Sequence, residues 1–218
     1  MPKRSNAPLQ VLRPTGARGP TVLVIHSWWG LTPSFVAFGE ALARKGFVVG
    51  LTDLFDGQTA ADAEEAKRLR RAPRREPMYK MLIRNIEELQ ACDAAVGPDV
   101  GIVGFSMGGH WAVWLSQRPE LPIRATVLYY AVRAGSFGDS HSSFVAHYAE
   151  SDPWVKPAAR RRMEVALAKA GRPYQAFDYP GTQHWFAESD RVEDYAPEAA
   201  ETALERTAAY LKESLGRR

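Results

Sequence analysis

The feature that most constrains the fold is a rhythm: short apolar runs alternate with longer helical patterns along most of the chain. Six runs read as strands, at 21–26, 47–52, 100–105, 125–130, 143–149 and 174–179. Most are continuously apolar instead of alternating, as strands covered on both faces require. Between them apolar residues recur at helical spacing. Phe35, Phe38 and Leu42 fall on one face, Met78, Leu82, Ile86 and Leu89 on another. A final helix over 197–215 opens at Pro197, a residue suited to a first turn. Strands separated by helices of this length imply parallel pairing through βαβ crossovers. The expected fold is therefore α/β, a mostly parallel sheet with helices on both faces and no large lid. At 218 residues, a single domain over 1–218 is expected, with 1–19 as an N-terminal arm or edge strand.

Composition narrows the function classes. The 28 Lys and Arg against 25 Asp and Glu leave a net charge of only +3, spread along the chain, which does not argue for a nucleic-acid partner. No apolar stretch approaches the 18 or so residues that span a bilayer, and the basic start is followed by no signal-like run, so a membrane partner is not expected either. Cys92 is the only cysteine, which excludes an intrachain disulfide. It is expected within a 77–97 helix as a small hydrophobe. The resulting expectation is a cytoplasmic monomer or small homo-oligomer. Residues 53–76 break the rhythm with an Arg-rich excursion, Arg68, Arg70, Arg71, Arg74 and Arg75 around Pro73. Charge runs of this kind most often mark a solvated helix face, with an anion-binding arm or flap as the functional alternative.

One motif carries chemistry. After the 100–105 run comes Gly104-Phe105-Ser106-Met107-Gly108-Gly109, which contains G-x-S-x-G. In this pattern a sharp strand-to-helix turn exposes the serine hydroxyl, and flanking glycines let strand and helix close on each other. A serine hydroxyl is a weak nucleophile and needs a base held by a carboxylate. In this fold the acid and then the histidine follow the serine in the chain. Asp152 follows the 143–149 strand, and His184 follows the last strand in Tyr179-Pro180-Gly181-Thr182-Gln183-His184. Both sit where a parallel sheet gathers its functional groups, at carboxyl ends of strands. Among the five histidines only His184 combines this order with a glycine-bearing loop; His26 reads as shaping its own loop. Asp139 and Asp178 compete with Asp152 for the role of acid.

An oxyanion needs donors. These are expected from the backbone N–H of Met107 and, in the loop His26-Ser27-Trp28-Trp29-Gly30, of Trp28. Trp29, Trp154 and Trp185 flank these positions and are expected to line an apolar pocket, unless they merely pack the strand ends. No metal-ligating or phosphate-cradling motif is present, so no cofactor is expected.

These segments resemble the dienelactone hydrolase family of α/β-hydrolases. The matching pieces are Val22–Gly30, Lys45-Gly46-Phe47-Val48-Val49 with Thr52-Asp53-Leu54-Phe55, the elbow Gly104–Gly109, the acid loop Glu150–Asp152, and Tyr179-Pro180-Gly181 before His184-Trp185-Phe186. The resemblance runs from about residue 20 to the C-terminus and implies a lidless hydrolase domain with its triad at Ser106, Asp152 and His184. Three positions depart from the family pattern. Ser106 stands where well-known members have a cysteine, Ser27 where they have a glutamate that contacts the resting thiol, and Glu188 where an arginine helps hold the substrate carboxylate. Together these changes point to a serine esterase or lactonase acting on a small-molecule ester or lactone through an acyl-enzyme. A non-catalytic ligand-binding protein on the same fold, or an acyltransferase or peptidase with the same triad, are the alternatives.

Overall fold

The computed structural model describes residues 8–71 and 75–216. Residues 1–7 of the expected N-terminal arm lie outside that range, as do Pro73 and Arg74 of the Arg-rich stretch and the side chain of Arg75. Among the described residues seven strands form one sheet: β1 Gln10–Leu12, β2 Gly19–Ile25, β3 Val48–Thr52, β4 Ala95–Phe105, β5 Ile123–Tyr129, β6 Ser143–Ser151 and β7 Tyr174–Gln183, in the order β1-β3-β2-β4-β5-β6-β7. Every pairing is parallel except that of the short β1, which runs antiparallel along the edge of β3 with Gln10 opposite Leu51. All six expected strands are present, and β1 is an edge strand within the 1–19 segment.

Among the described residues six helices cover the sheet: α1 Pro33–Arg44, α2 Ala63–Arg71, α3 Arg75–Gln90, α4 Met107–Ser116, α5 Pro157–Lys169 and α6 Pro197–Gly216. Two apolar clusters, one per face, follow from this. Phe35 and Leu42 of α1 and Ala203 and Leu211 of α6 pack on one side of the strands. Leu69 of α2, Leu82 and Ile86 of α3, Val113 of α4 and Met163 of α5 pack on the other. The inner strands β2, β3 and β5, with the buried runs of β4 and β6, must satisfy both clusters, which explains why those stretches are continuously apolar, whereas the edge strands β1 and β7 are largely exposed or half-buried. Helix α3 ends at Gln90, short of the expected 97. Cys92 therefore lies in the turn after it, a free and half-buried thiol, and the chain is already extended by Ala95.

The Arg-rich excursion is largely α2, an amphipathic helix. Ala66 and Leu69 are buried, while Lys67 and Arg68 pair outward with Glu64 and Glu65. Strand order places the functional region. From β2 the chain leaves through α1 on one face, whereas from β4 it leaves through α4 on the other. Adjacent strands whose exits diverge in this way open a crevice at their carboxyl ends. The residues at those ends are His26–Gly30 and Ser106.

Candidate active site

Ser106 sits between β4 and α4 with φ 49° and ψ −110°, a backbone conformation that costs a non-glycine residue on the order of 1–3 kcal/mol. The turn is held by hydrogen bonds on both sides: the Ser106 N–H donates to the Tyr129 carbonyl at 2.9 Å, and the Gly109 N–H to the Ser106 carbonyl at 3.0 Å. The glycines are required by contact. A Cβ on Gly104 would lie 2.5 Å from the Gly108 carbonyl oxygen, and one on Gly108 would lie 2.2 Å from that of Ile25 and 2.5 Å from that of His26. The start of α4 thus abuts the chain leaving β2. Met107 opens α4, where N–H groups have no partner inside the helix, and Trp28 lies on the abutting loop.

The loops after β6 and β7 bring the other groups together. The Ser106 Oγ lies 2.8 Å from His184 Nε2, and His184 Nδ1 lies 2.7 Å from Asp152 Oδ2. The other carboxylate oxygen, Oδ1, accepts the backbone N–H groups of Trp154 at 2.8 Å and Val155 at 2.9 Å, so the acid is fixed by its own loop. The side chains of His184 and Asp152 are only 4% and 6% exposed. With Oδ2 accepting from Nδ1–H, Nε2 presents its lone pair to the serine hydroxyl, the tautomer that proton abstraction needs. Ser106, Asp152 and His184, read from separate parts of the sequence, therefore form one continuous chain of hydrogen bonds. Asp178 is instead held by Arg160 on the outer side of β7.

A cleft of about 480 Å³ opens over Ser106. Trp28, Trp154 and Trp185 line it, with Trp28 and Trp185 stacked at 5.8 Å. Trp29 does not line it, contrary to expectation. It is buried behind, edge-on to Trp28 and Trp185 at 5.3 Å, with the Arg191 guanidinium 4.2 Å from its ring centre. The opposite wall was not anticipated: Phe55, Met78, Tyr79 and Trp111 come from the β3 loop, α3 and α4, and Arg70 and Arg133 add two cations. Tyr79 and Trp111 carried no signal beyond helical spacing; Arg70 was visible as part of the charge run, but not the face it occupies.

Behind the cleft lies a buried carboxyl, that of Glu188. Its Oε2 accepts from the Ser27 hydroxyl at 2.8 Å and its Oε1 from the Tyr130 hydroxyl at 2.7 Å. Burial pushes this carboxyl up to about 8, with Asp190 adding to the rise, against the opposing pull of the two hydroxyls and of Arg191. His26, as expected, shapes its loop. Its Nδ1 bonds the Ser27 carbonyl at 2.5 Å and its Nε2 accepts the Leu54 N–H at 2.9 Å. Full burial lowers the His26 imidazole to about 4. Among the described residues no group of His, Cys, Asp and Glu is arranged to hold a metal ion, and no helix is long and apolar enough to cross a membrane.

A parallel sheet of this order, with a strained serine at the strand-to-helix elbow, defines an α/β-hydrolase. A model of the dienelactone hydrolase family matches residues 9–215, and the chain belongs to that family. Membership makes it a hydrolase of esters or lactones. The chain is 27% identical to a putative carboxymethylenebutenolidase of Aquifex aeolicus, over 89% of this chain and 88% of the relative. It is 28% identical to a probable 2-oxo-3-(5-oxofuran-2-ylidene)propanoate lactonase of Bradyrhizobium sp, covering 89% and 84%. The crystal structure of a putative dienelactone hydrolase from Klebsiella pneumoniae superposes with a TM-score of 0.77 at 19% identity, over 92% and 90% of the two chains.

Proposed function

We propose that this chain is a serine hydrolase that cleaves carboxylic esters or lactones through an acyl-enzyme on Ser106. The observation that carries the reading is the unbroken path from the Ser106 hydroxyl through His184 to Asp152, with links of 2.8 and 2.7 Å. As Oγ bonds to the substrate carbonyl carbon, its proton passes to His184 Nε2. The Trp28 and Met107 N–H groups receive the oxyanion. When the carbon–oxygen bond to the leaving group breaks, the imidazolium returns the proton to the departing alkoxide. Water then repeats the sequence on the acyl-enzyme and regenerates the serine. In a lactone the leaving oxygen stays tethered to the acyl group, so ring opening gives a single hydroxy acid.

The cleft favours planar or aromatic acyl and alcohol groups, since three indoles and the Phe55–Tyr79–Trp111 wall surround the serine. Arg70 and Arg133 suit a substrate that also bears a carboxylate, consistent with the propanoate lactonase name of the Bradyrhizobium relative. The same reading takes 1–218 as one domain acting in the cytoplasm, where the free thiol of Cys92 is at home.

A fluorophosphonate probe followed by peptide mapping tests the nucleophile. The expected result is a single adduct at Ser106, and a Ser106→Ala variant that loses on the order of 10⁵–10⁶ in turnover of p-nitrophenyl butyrate. Labelling elsewhere, or a variant as active as wild type, overturns the reading.

A further inference from the structure

The Glu188 carboxyl bonds to Ser27 and Tyr130 and to no member of the proposed triad among the described residues, yet it sits where two halves of the site meet. It is fully buried and does not line the cleft, so it does not touch substrate. A buried carboxyl is expensive, and an apolar side chain of similar size packs there at lower cost unless the group holds something in place. What it holds is specific. Ser27 precedes Trp28, the proposed oxyanion donor, and its Oγ both donates to Glu188 at 2.8 Å and accepts the Trp29 N–H at 3.4 Å, so the hydroxyl brackets the Trp28 peptide. Tyr130, which donates to the other carboxyl oxygen, lies under His184 with ring centres 4.8 Å apart. Tyr130 has φ 39° and its N–H donates to the His147 carbonyl at 2.7 Å, so the residue beside His184 holds a strained backbone.

We propose that Glu188 is a positioning residue whose carboxyl locks the oxyanion loop, through Ser27, to the floor under the catalytic imidazole, through Tyr130. This rests on the serine-hydrolase reading and adds to it. The two departures from the family pattern, at 27 and 188, are one device, because the hydroxyl at 27 is the partner that a carboxyl at 188 requires. Displacing an oxyanion donor by a fraction of an ångström weakens transition-state binding while leaving ground-state binding intact.

The test is steady-state kinetics on a p-nitrophenyl ester for Ser27→Ala, Glu188→Ala and Glu188→Gln, with fluorophosphonate labelling and thermal melting of each. Loss of the lock is expected to lower kcat about 10²-fold in Ser27→Ala and Glu188→Ala with KM within about twofold of wild type. Glu188→Gln is expected to recover most of that loss, since its amide accepts from one hydroxyl and donates to the other. Ser27→Ala removes a single hydroxyl and decides the matter even if Glu188→Ala fails to fold. Wild-type kcat in Ser27→Ala, or a loss in KM and melting temperature that Gln does not rescue, overturns the proposal. If the wild-type protein neither labels nor turns over, the hydrolase reading itself fails; if it does both and the variants match it, only the lock is lost.

Discussion

Replacing Asp152 with Asn separates the orienting role of the acid from its role in folding, because the structure dictates which way the amide must face. Oδ1 is the acceptor for the N–H groups of Trp154 and Val155 at 2.8 and 2.9 Å. An amide turned with its NH₂ toward those donors sets donor against donor and forfeits both hydrogen bonds, at about 0.5–1.5 kcal/mol each. The oxygen therefore stays on the loop, and the NH₂ takes the place of Oδ2, 2.7 Å from His184 Nδ1. Two donors cannot share that contact, so Nδ1 becomes the acceptor and the ring proton moves to Nε2, which then points a donor at Ser106 and cannot take its proton. The loss expected for a triad frozen in this tautomer is ~10⁴ in kcat, about 5.5 kcal/mol of transition-state stabilisation. Because the loop bonds persist, the melting temperature is expected to stay within about 2 °C of wild type. The assay is kcat for p-nitrophenyl acetate at neutral pH beside a thermal melt. An Asn variant that melts normally and keeps more than a tenth of wild-type turnover refutes the tautomer argument.

Two further outcomes concern stability. Gly108→Ala places a methyl 2.2 Å from the Ile25 carbonyl, a backbone atom that cannot swing aside, and is expected to destabilise by about 3 kcal/mol, or roughly 6–12 °C in melting temperature, whereas Gly138→Ala, whose Cβ meets only Ser136 Oγ at 3.8 Å, is expected to be neutral by calorimetry. The pH profile has two opposed limbs. Burial holds His26 at about 4 and His147 at about 3, both below 6.5, so their stabilisation is complete above pH 6.5 and is lost as pH falls through those values, on the order of a few kcal/mol in all. Glu188, raised from 4.5 to about 8, favours the folded state at low pH, and its contribution fades as pH climbs between those values. Urea midpoints from pH 3 to 9 are expected to fall at both ends, with the alkaline decline flattened in Glu188→Gln; an unchanged alkaline slope in that variant shows the carboxyl is not its source.

The sheet was legible because burial on both faces leaves an unmistakable apolar run, and the elbow because backbone contact at Gly104 and Gly108 admits no other residue. Ser106, Asp152 and His184 were expected from the elbow motif, chain order and position at strand ends, with Asp139 and Asp178 competing for the acid, and the structure sets the three side chains within hydrogen-bonding distance. What could not be read was side-chain direction. Trp29 sits beside Trp28 in the chain but faces the interior, and Arg70 faces the cleft although its helix neighbour Arg68 pairs with Glu65 on the outer face. Helix α3 ends at Gln90 and not at the expected 97, since nothing local announces where β4 begins. Glu188 was noted only for what it replaced; its bond to Ser27 joins residues 161 positions apart, a distance over which no local pattern carries information.

The indoles of Trp28, Trp154 and Trp185 over Ser106 have an optical consequence. Trp28 and Trp185 stack at 5.8 Å and 15°, and Trp28 meets Trp154 edge-on at 5.3 Å, so the three rings share one environment. Anything seated over the serine changes the surroundings of Trp28, Trp154 and Trp185 together. The enzyme thus carries its own fluorophore, and occupancy can be followed by emission or near-ultraviolet dichroism without attaching a dye.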